Sequence, residues 1–155
     1  MVSHIDLYLY GIYFLKRKKS IYLLQMESIP YDKRSGKIWF NGNLVDWQET
    51  KVHVLNHGLH YASCVFEGER VYDGEIFKLE EHTSRLFHSA KRMGMLMPYS
   101  EKEINKACKE IVGAQKIKNG YVRPIVWRGS EMMAISAQKK QNTCSYRHVG
   151  MGFLF

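Results

Sequence analysis

The feature that most constrains the fold is a change of hydrophobic period partway along the chain. Leu79, Thr83, Leu86, Phe87, Ala90 and Met93 recur at helical spacing, with Gly94 as a stop and Pro98 just beyond. Ser100-Glu-Lys-Glu103 then reads as a capping box. It opens a second amphipathic helix with Ile104, Ala107, Cys108, Ile111 and Val112 on one face. On either side of this helical stretch the pattern is that of short strands. Lys37–Phe40 and Leu44-Val45 flank Asn41-Gly42, and Val65–Tyr72 and Glu75–Lys78 flank Asp73-Gly74, two type I′ hairpin signals. Val52-His53-Val54 alternates as a strand does, and Tyr121–Trp127 and Met132–Ala137 read as two more. Strands, two helices, strands: the order predicts an α+β domain over about residues 30–138.

Charge matters only once it is mapped. The formal net charge of +8 over 155 residues suggests nucleic acid, but residues 26–138 hold 16 Lys/Arg against 14 Asp/Glu. The excess lies in the first 25 and last 17 residues, whereas a nucleic-acid module carries its basic stripe on a folded face. Nucleic acid is therefore not the expected partner. Cys64, Cys108 and Cys144 are odd in number, widely spaced and without a CxxC pair. They read as buried free thiols of a cytoplasmic protein, not a disulfide framework or a zinc site.

In the first 25 residues the apolar run Ile5–Leu15 precedes its basic cluster, Lys16-Arg17-Lys18-Lys19. A secretory signal has the opposite polarity, and the run is too short to cross a bilayer. Residues 1–25 are expected to be an extension outside the domain, with Met26 a plausible start. No membrane association is expected.

Three segments carry a family resemblance: residues 37–74, which contain His57-Gly-Leu-His-Tyr61 and Val65-Phe-Glu-Gly68; residues 76–94, which contain Glu81-His-Thr-Ser-Arg-Leu86; and residues 119–129, which contain Tyr121-Val-Arg-Pro124. In this order and spacing the chain resembles the N-terminal, smaller domain of the branched-chain amino acid aminotransferases. These are class IV pyridoxal-phosphate (PLP) enzymes. The resemblance implies a small domain with a mixed or antiparallel sheet and two helices. It implies transamination between L-leucine, L-isoleucine or L-valine and 2-oxoglutarate, with PLP as cofactor, in a homodimer or larger assembly.

The same resemblance assigns site residues. Arg85 matches the family's phosphate-binding arginine, and a guanidinium offers a phosphate dianion a planar, bidentate fork. Without the family, Arg85 reads as half of an i,i+4 pair with Glu81. Tyr61, Phe66 and Gly68 match positions lining the pocket for the branched side chain, where an apolar wall suits substrates that have no polar group to read. Phe66 alone would pass for ordinary core. Tyr121 and Arg123 match the family's pair near the substrate, and strand alternation puts both on one face. His57 and His60 have ligand-like i,i+3 spacing but no third ligand beside them, so no metal is assigned.

The sequence also departs from the family. The lysine that forms a Schiff base with PLP belongs to the family's second, larger domain, before an Asn-Tyr pair. No lysine here has that context, so no catalytic residue is assigned and this chain alone is not expected to hold PLP stably. After Ala137 the text reads Gln-Lys-Lys-Gln-Asn-Thr-Cys-Ser-Tyr-Arg-His-Val-Gly-Met-Gly-Phe. With one choice of synonymous codons, deleting a single A from the Lys-Lys tract restores the family's continuation, KNKIHVAIATWEW. Residues 139–155 are accordingly expected to be a frameshifted tail, and the domain to occupy residues 26–138. Three readings stay open: a catalytically incomplete remnant, a non-catalytic interaction domain, or half of a split transaminase.

Overall fold

The computed structural model describes residues 29–130 and the backbone of residues 148–153. The chain divides into two compact units, Met1–Arg34 and Ser35–Phe155. Of the first unit, the described part is a single 3-10 turn, Tyr31–Lys33, over which Arg34 reaches back to the Ile29 carbonyl.

The second unit is an antiparallel sheet with helices on one face. Its elements are β1 (Lys37–Phe40), β2 (Asn43–Asp46), α1 (His57–Tyr61), β3 (Cys64–Phe66), β4 (Glu69–Tyr72), β5 (Glu75–Ile76), α2 (Leu79–Arg92), α3 (Glu101–Gln115), β6 (Gly120–Trp127) and β7 (His148–Phe153). The strand order is β2-β1-β7-β6-β4-β5, with β3 also on β6, and every pairing is antiparallel. Both hairpins form where their turn residues require them. Asn41 and Gly42 have φ of 48° and 94°, and Asp73 and Gly74 have 48° and 88°, the paired positive values of a type I′ turn. The capping box is complete: the Ser100 side chain accepts from the Glu103 N–H, and the Glu103 carboxylate accepts from the Ser100 N–H.

The core lies between the sheet and the two long helices. Leu86 and Ala90 of α2, Ile104, Cys108 and Ile111 of α3, and Val71, Val122 and Val126 of the sheet are fully buried. All five apolar positions singled out on the second helix are buried there. That is the outcome expected of an amphipathic face against a sheet.

Three expectations change. Val52-His53-Val54 is a loop, closed by an Asn56 N–H to His53 carbonyl bond; no neighbouring strand among the described residues offers it a ladder. The run Glu75–Lys78 is a strand only at Glu75–Ile76, because Lys78 turns left-handed (φ 52°) to start α2. Val65–Tyr72 is two strands interrupted at Glu67-Gly68. The cause sits in the partner strand. β3 and β4 keep one register against β6, with Phe66 opposite Ile125 and Glu69 opposite Val122. Between them the Glu67 N–H donates to the Pro124 carbonyl at 3.0 Å, and proline has no N–H to return the bond. As for boundaries, the compact unit begins at Ser35, and β7, from the segment expected to be a tail, pairs between β1 and β6. The N-terminal run, the expected strand Met132–Ala137 and Cys144 lie outside the described residues.

Candidate active site

Strand alternation divides the β3–β4 segment between two faces. Phe66 and Gly68 turn to the open face of the sheet, and Glu67 and Glu69 turn to the helical layer. On β6, Val122 and Val126 are in the core, whereas Tyr121, Arg123 and Ile125 are half-buried on the other side. The open face therefore gathers four of the six residues assigned to the site.

Their contacts are close. The Arg123 guanidinium stacks over the Phe66 ring, 4.4 Å from its centroid, and donates to the Tyr121 hydroxyl at 3.4 Å. Gly68 has no room for a side chain, since a Cβ there would fall 2.1 Å from the Tyr121 hydroxyl oxygen. The absence of a Cβ is thus what lets Tyr121 lie across the strand break. The Arg123 Nε–H is buried and meets no acceptor among the described residues. A buried, unsatisfied cationic donor costs free energy in isolation, and it is the arrangement expected of a site that completes itself with an anionic ligand.

Gly68→Ala is expected to displace the Tyr121 ring and break its contact with Arg123. The clash is with the far end of a half-buried side chain, so the cost is about 1 kcal/mol, the low end of overpacking. Urea unfolding measures the loss, and the Tyr121 ring resonances report the displacement. Unchanged stability with unshifted resonances would mean that the strand break, and not the missing Cβ, makes room for the ring.

Arg85 is on the other layer, in the middle of α2. Its expected alternative partner, Glu81, instead pairs with Lys78 at 3.2 Å. Arg85 binds Glu67 bidentately, Nε to Oε1 and Nη2 to Oε2, both at 2.6 Å. His82, one helical turn earlier, joins its Nδ1 to the same Oε2 at 2.9 Å. Burial alone would raise the Glu67 carboxyl, but the hydrogen bonds and charges of Arg85 and His82 outweigh it and hold the group below its ordinary value. The Glu67 side chain is only 4% exposed, while that of Arg85 is 66% exposed.

Tyr61 stands apart from this cluster. It ends α1, packs its ring at a tilt against that of His57 with centroids 4.5 Å apart, and is 41% exposed. The histidines beside it are engaged: His57 Nδ1 with the Ser63 hydroxyl at 2.6 Å, and His60 Nε2 with the Val54 carbonyl at 2.9 Å. Among the described residues, no group of three or more potential ligands is placed to hold a metal. Between α1 and the sheet lies an apolar groove of about 260 Å³, lined by Val52, Leu59, Cys64, Ile125 and Trp127 with Asn56 and Gly58. Cys64 is half-buried and Cys108 fully buried, and both are free thiols.

Glu67 and His82 were not singled out in the sequence. Two signals mark them: a carboxylate directly after the apolar Cys64–Phe66, and a histidine three residues before Arg85, on the same helix face.

Comparison with known proteins identifies the family and the fold. Residues 64–148 match the family described as amino-transferase class IV. A probable branched-chain-amino-acid aminotransferase of Rickettsia felis is 48% identical over 111 residues, which are 72% of this chain and 38% of that protein. The crystal structure of the Escherichia coli branched-chain amino acid aminotransferase superposes with a TM-score of 0.71 at 32% identity, covering 79% of this chain and 41% of that one. A branched-chain amino acid aminotransferase from T.th., solved with pyridoxamine 5'-phosphate, gives a TM-score of 0.69 at 34% identity, covering 76% and 39%. The chain thus spans about two-fifths of the length of the proteins it matches. No helix among the described residues is long and apolar enough to cross a membrane.

Proposed function

The chain belongs to the class IV aminotransferases, and on that premise we propose that it is the small domain of a branched-chain-amino-acid transaminase. That enzyme exchanges the amino group between leucine, isoleucine or valine and 2-oxoglutarate. One observation carries the reading: the half-buried Arg123, with an unsatisfied buried Nε–H, set between the Phe66 ring and the Tyr121 hydroxyl. A substrate carboxylate needs a cationic donor and a hydroxyl, and a branched side chain needs an apolar wall. These residues supply both within one patch of the sheet.

Pyridoxal phosphate, when bound, supplies the electron sink that makes the substrate's Cα proton acidic. The residues of this chain fit it in part. Arg85 offers the phosphate an exposed guanidinium, and the Arg123–Tyr121 pair holds the carboxylate end of the amino acid. Moving the proton is the task of a lysine in the context lacking from this sequence, so this domain holds and orients but does not complete the reaction. The exposed Val54, Leu59, Tyr61 and Phe66 mark the apolar surface on which a larger domain and a second subunit are expected to close. A cytoplasmic location and a role in branched-chain amino acid biosynthesis go with this reading.

The test uses 4-methylpentanoate, which has the carbon skeleton of leucine and its carboxylate. It is expected to shift the Phe66 and Tyr121 ring resonances of the isolated chain, and Arg123→Met is expected to abolish the shift. Incubation with pyridoxal phosphate and borohydride is expected to leave no lysine modified stoichiometrically. A shift that persists in Arg123→Met would remove Arg123 from the carboxylate site. A single fully modified lysine would show that this domain carries its own catalytic group.

A further inference from the structure

We propose that Glu67 is the positioning residue of the phosphate site: it clamps one edge of the Arg85 guanidinium and thereby presents the opposite edge, preformed, to a phosphate dianion. The inference rests on the reading of Arg85 as the phosphate-binding group and adds to it the residue that makes that arginine competent.

The geometry argues for a clamp. A guanidinium has two edges that can each make parallel, bidentate hydrogen bonds to an oxyanion. Glu67 occupies the Nε–Nη2 edge with two bonds of 2.6 Å. The Nη1–Nη2 edge has no partner among the described residues, and the side chain is 66% exposed. Arg85 is thus bound from behind and open in front.

The clamp itself is buried and held at two further points. The Glu67 side chain is almost entirely buried, and its Oε2 also meets His82 Nδ1 at 2.9 Å. Its backbone N–H is fixed to the Pro124 carbonyl at 3.0 Å. Alternation along this unshifted register turns its carboxylate toward α2, and because Pro124 returns no bond the backbone ladder is interrupted at this residue. Glu67 is one peptide from both Phe66 and Gly68, and Pro124 is one peptide from Arg123. A single residue therefore ties the phosphate-side arginine to the strand break that shapes the substrate side.

A carboxylate beside a phosphate-binding arginine has two opposite possible effects. As a counter-charge it repels the phosphate and weakens binding. As a clamp it spares the arginine the loss of rotamer freedom on binding, a saving that corresponds to roughly three- to tenfold in affinity. Two tight bonds on the far edge, with the near edge left exposed, favour the clamp.

The test is a titration of the full chain with inorganic phosphate, followed through the arginine side-chain Nε–H resonances. In the unmodified chain the Arg85 Nε–H is expected as a sharp, slowly exchanging signal, because Glu67 Oε1 holds it. Glu67→Gln keeps the shape and removes the charge; it is expected to broaden that signal and weaken phosphate binding about three- to tenfold. Glu67→Asp keeps the charge but shortens the reach by one methylene, and is expected to weaken binding likewise. Unchanged or tighter binding in Glu67→Gln would make Glu67 a mere counter-charge and overturn the proposal. So would unchanged binding in Glu67→Asp. Arg85→Lys separates the two layers of the argument. If phosphate binds it as it binds the unmodified chain, or if the unmodified chain binds none at tens of millimolar, the assignment of Arg85 itself falls. The Nε–H signal still decides in that case whether Glu67 holds the arginine.

Discussion

Glu69→Gln is expected to stabilise the protein at pH 8 and to remove most of the fall in its stability between about pH 5 and pH 8. Glu69 is fully buried at the start of β4, facing α3, and neither carboxylate oxygen meets a well-formed hydrogen bond. Burial pushes its pKa up to about 8 from an ordinary 4.5. The Cys108 thiol partly relieves the group as a weak donor, and the charge of Glu67 two residues away pushes it further up. Burial first, and then the same neighbour Glu69, hold the Cys108 thiol well above its ordinary value. Between pH 4.5 and 8 the folded state keeps a proton that the unfolded state releases. The stability supplied by the neutral carboxyl is therefore complete below the lower value and lost as pH rises through the upper one, at about 1.4 kcal/mol per pH unit. The whole window amounts to something on the order of 5 kcal/mol. Glutamine has the same shape and no charge to release. Urea unfolding at pH 5 and pH 8 is expected to show the two proteins close together at the lower pH, with the variant several kcal/mol more stable at the higher. A variant with the same pH slope as the unmodified chain would mean that Glu69 is not the group responsible.

Leu86→Ala is expected to have an effect of similar size and opposite sign. Leu86 is completely buried on α2 in the middle of the core. Truncation of such a leucine costs about 2–5 kcal/mol, the lost transfer energy plus the cavity left behind. That is a large part of the roughly 5–15 kcal/mol by which a domain of this size is stable. The substitution also reaches the site, because Arg85 precedes Leu86 on the helix and the clamp with Glu67 depends on where α2 sits against β3. Denaturant unfolding measures the first effect, and the Arg85 Nε–H resonance measures the second. A loss below about 1 kcal/mol would show that the helices close over the cavity, a collapse this tightly packed layer is not expected to permit.

Much of this was legible in the residues because its causes are local. Asn41-Gly42 and Asp73-Gly74 dictate turns whatever surrounds them, since few other residues accept the paired positive φ. Ser100 and Glu103 satisfy each other's backbone within one helical turn, and the spacing from Ile104 to Val112 names the buried face of α3. Alternation from Tyr121 to Arg123 places both on one side of β6 without knowledge of its neighbours.

What tertiary structure alone decided depends on residues far apart in the chain. Val52-His53-Val54 has the pattern of a strand but lacks a partner among the described residues, and pattern cannot supply one. The strand from Val65 breaks at Glu67 because of Pro124, 57 positions later, which faces it only once β6 is in register. Arg85 has Glu81 one turn away on its own helix, yet takes Glu67 from the sheet. A buried carboxylate that keeps its charge must be paired, while an exposed one need not be. Glu69, an ordinary charged residue in the sequence, becomes a titrating group in the core solely because its strand face is covered by α3. Local rules name the elements; desolvation and pairing, which exist only after the elements meet, determine which side chains bear charge and which are open to a ligand.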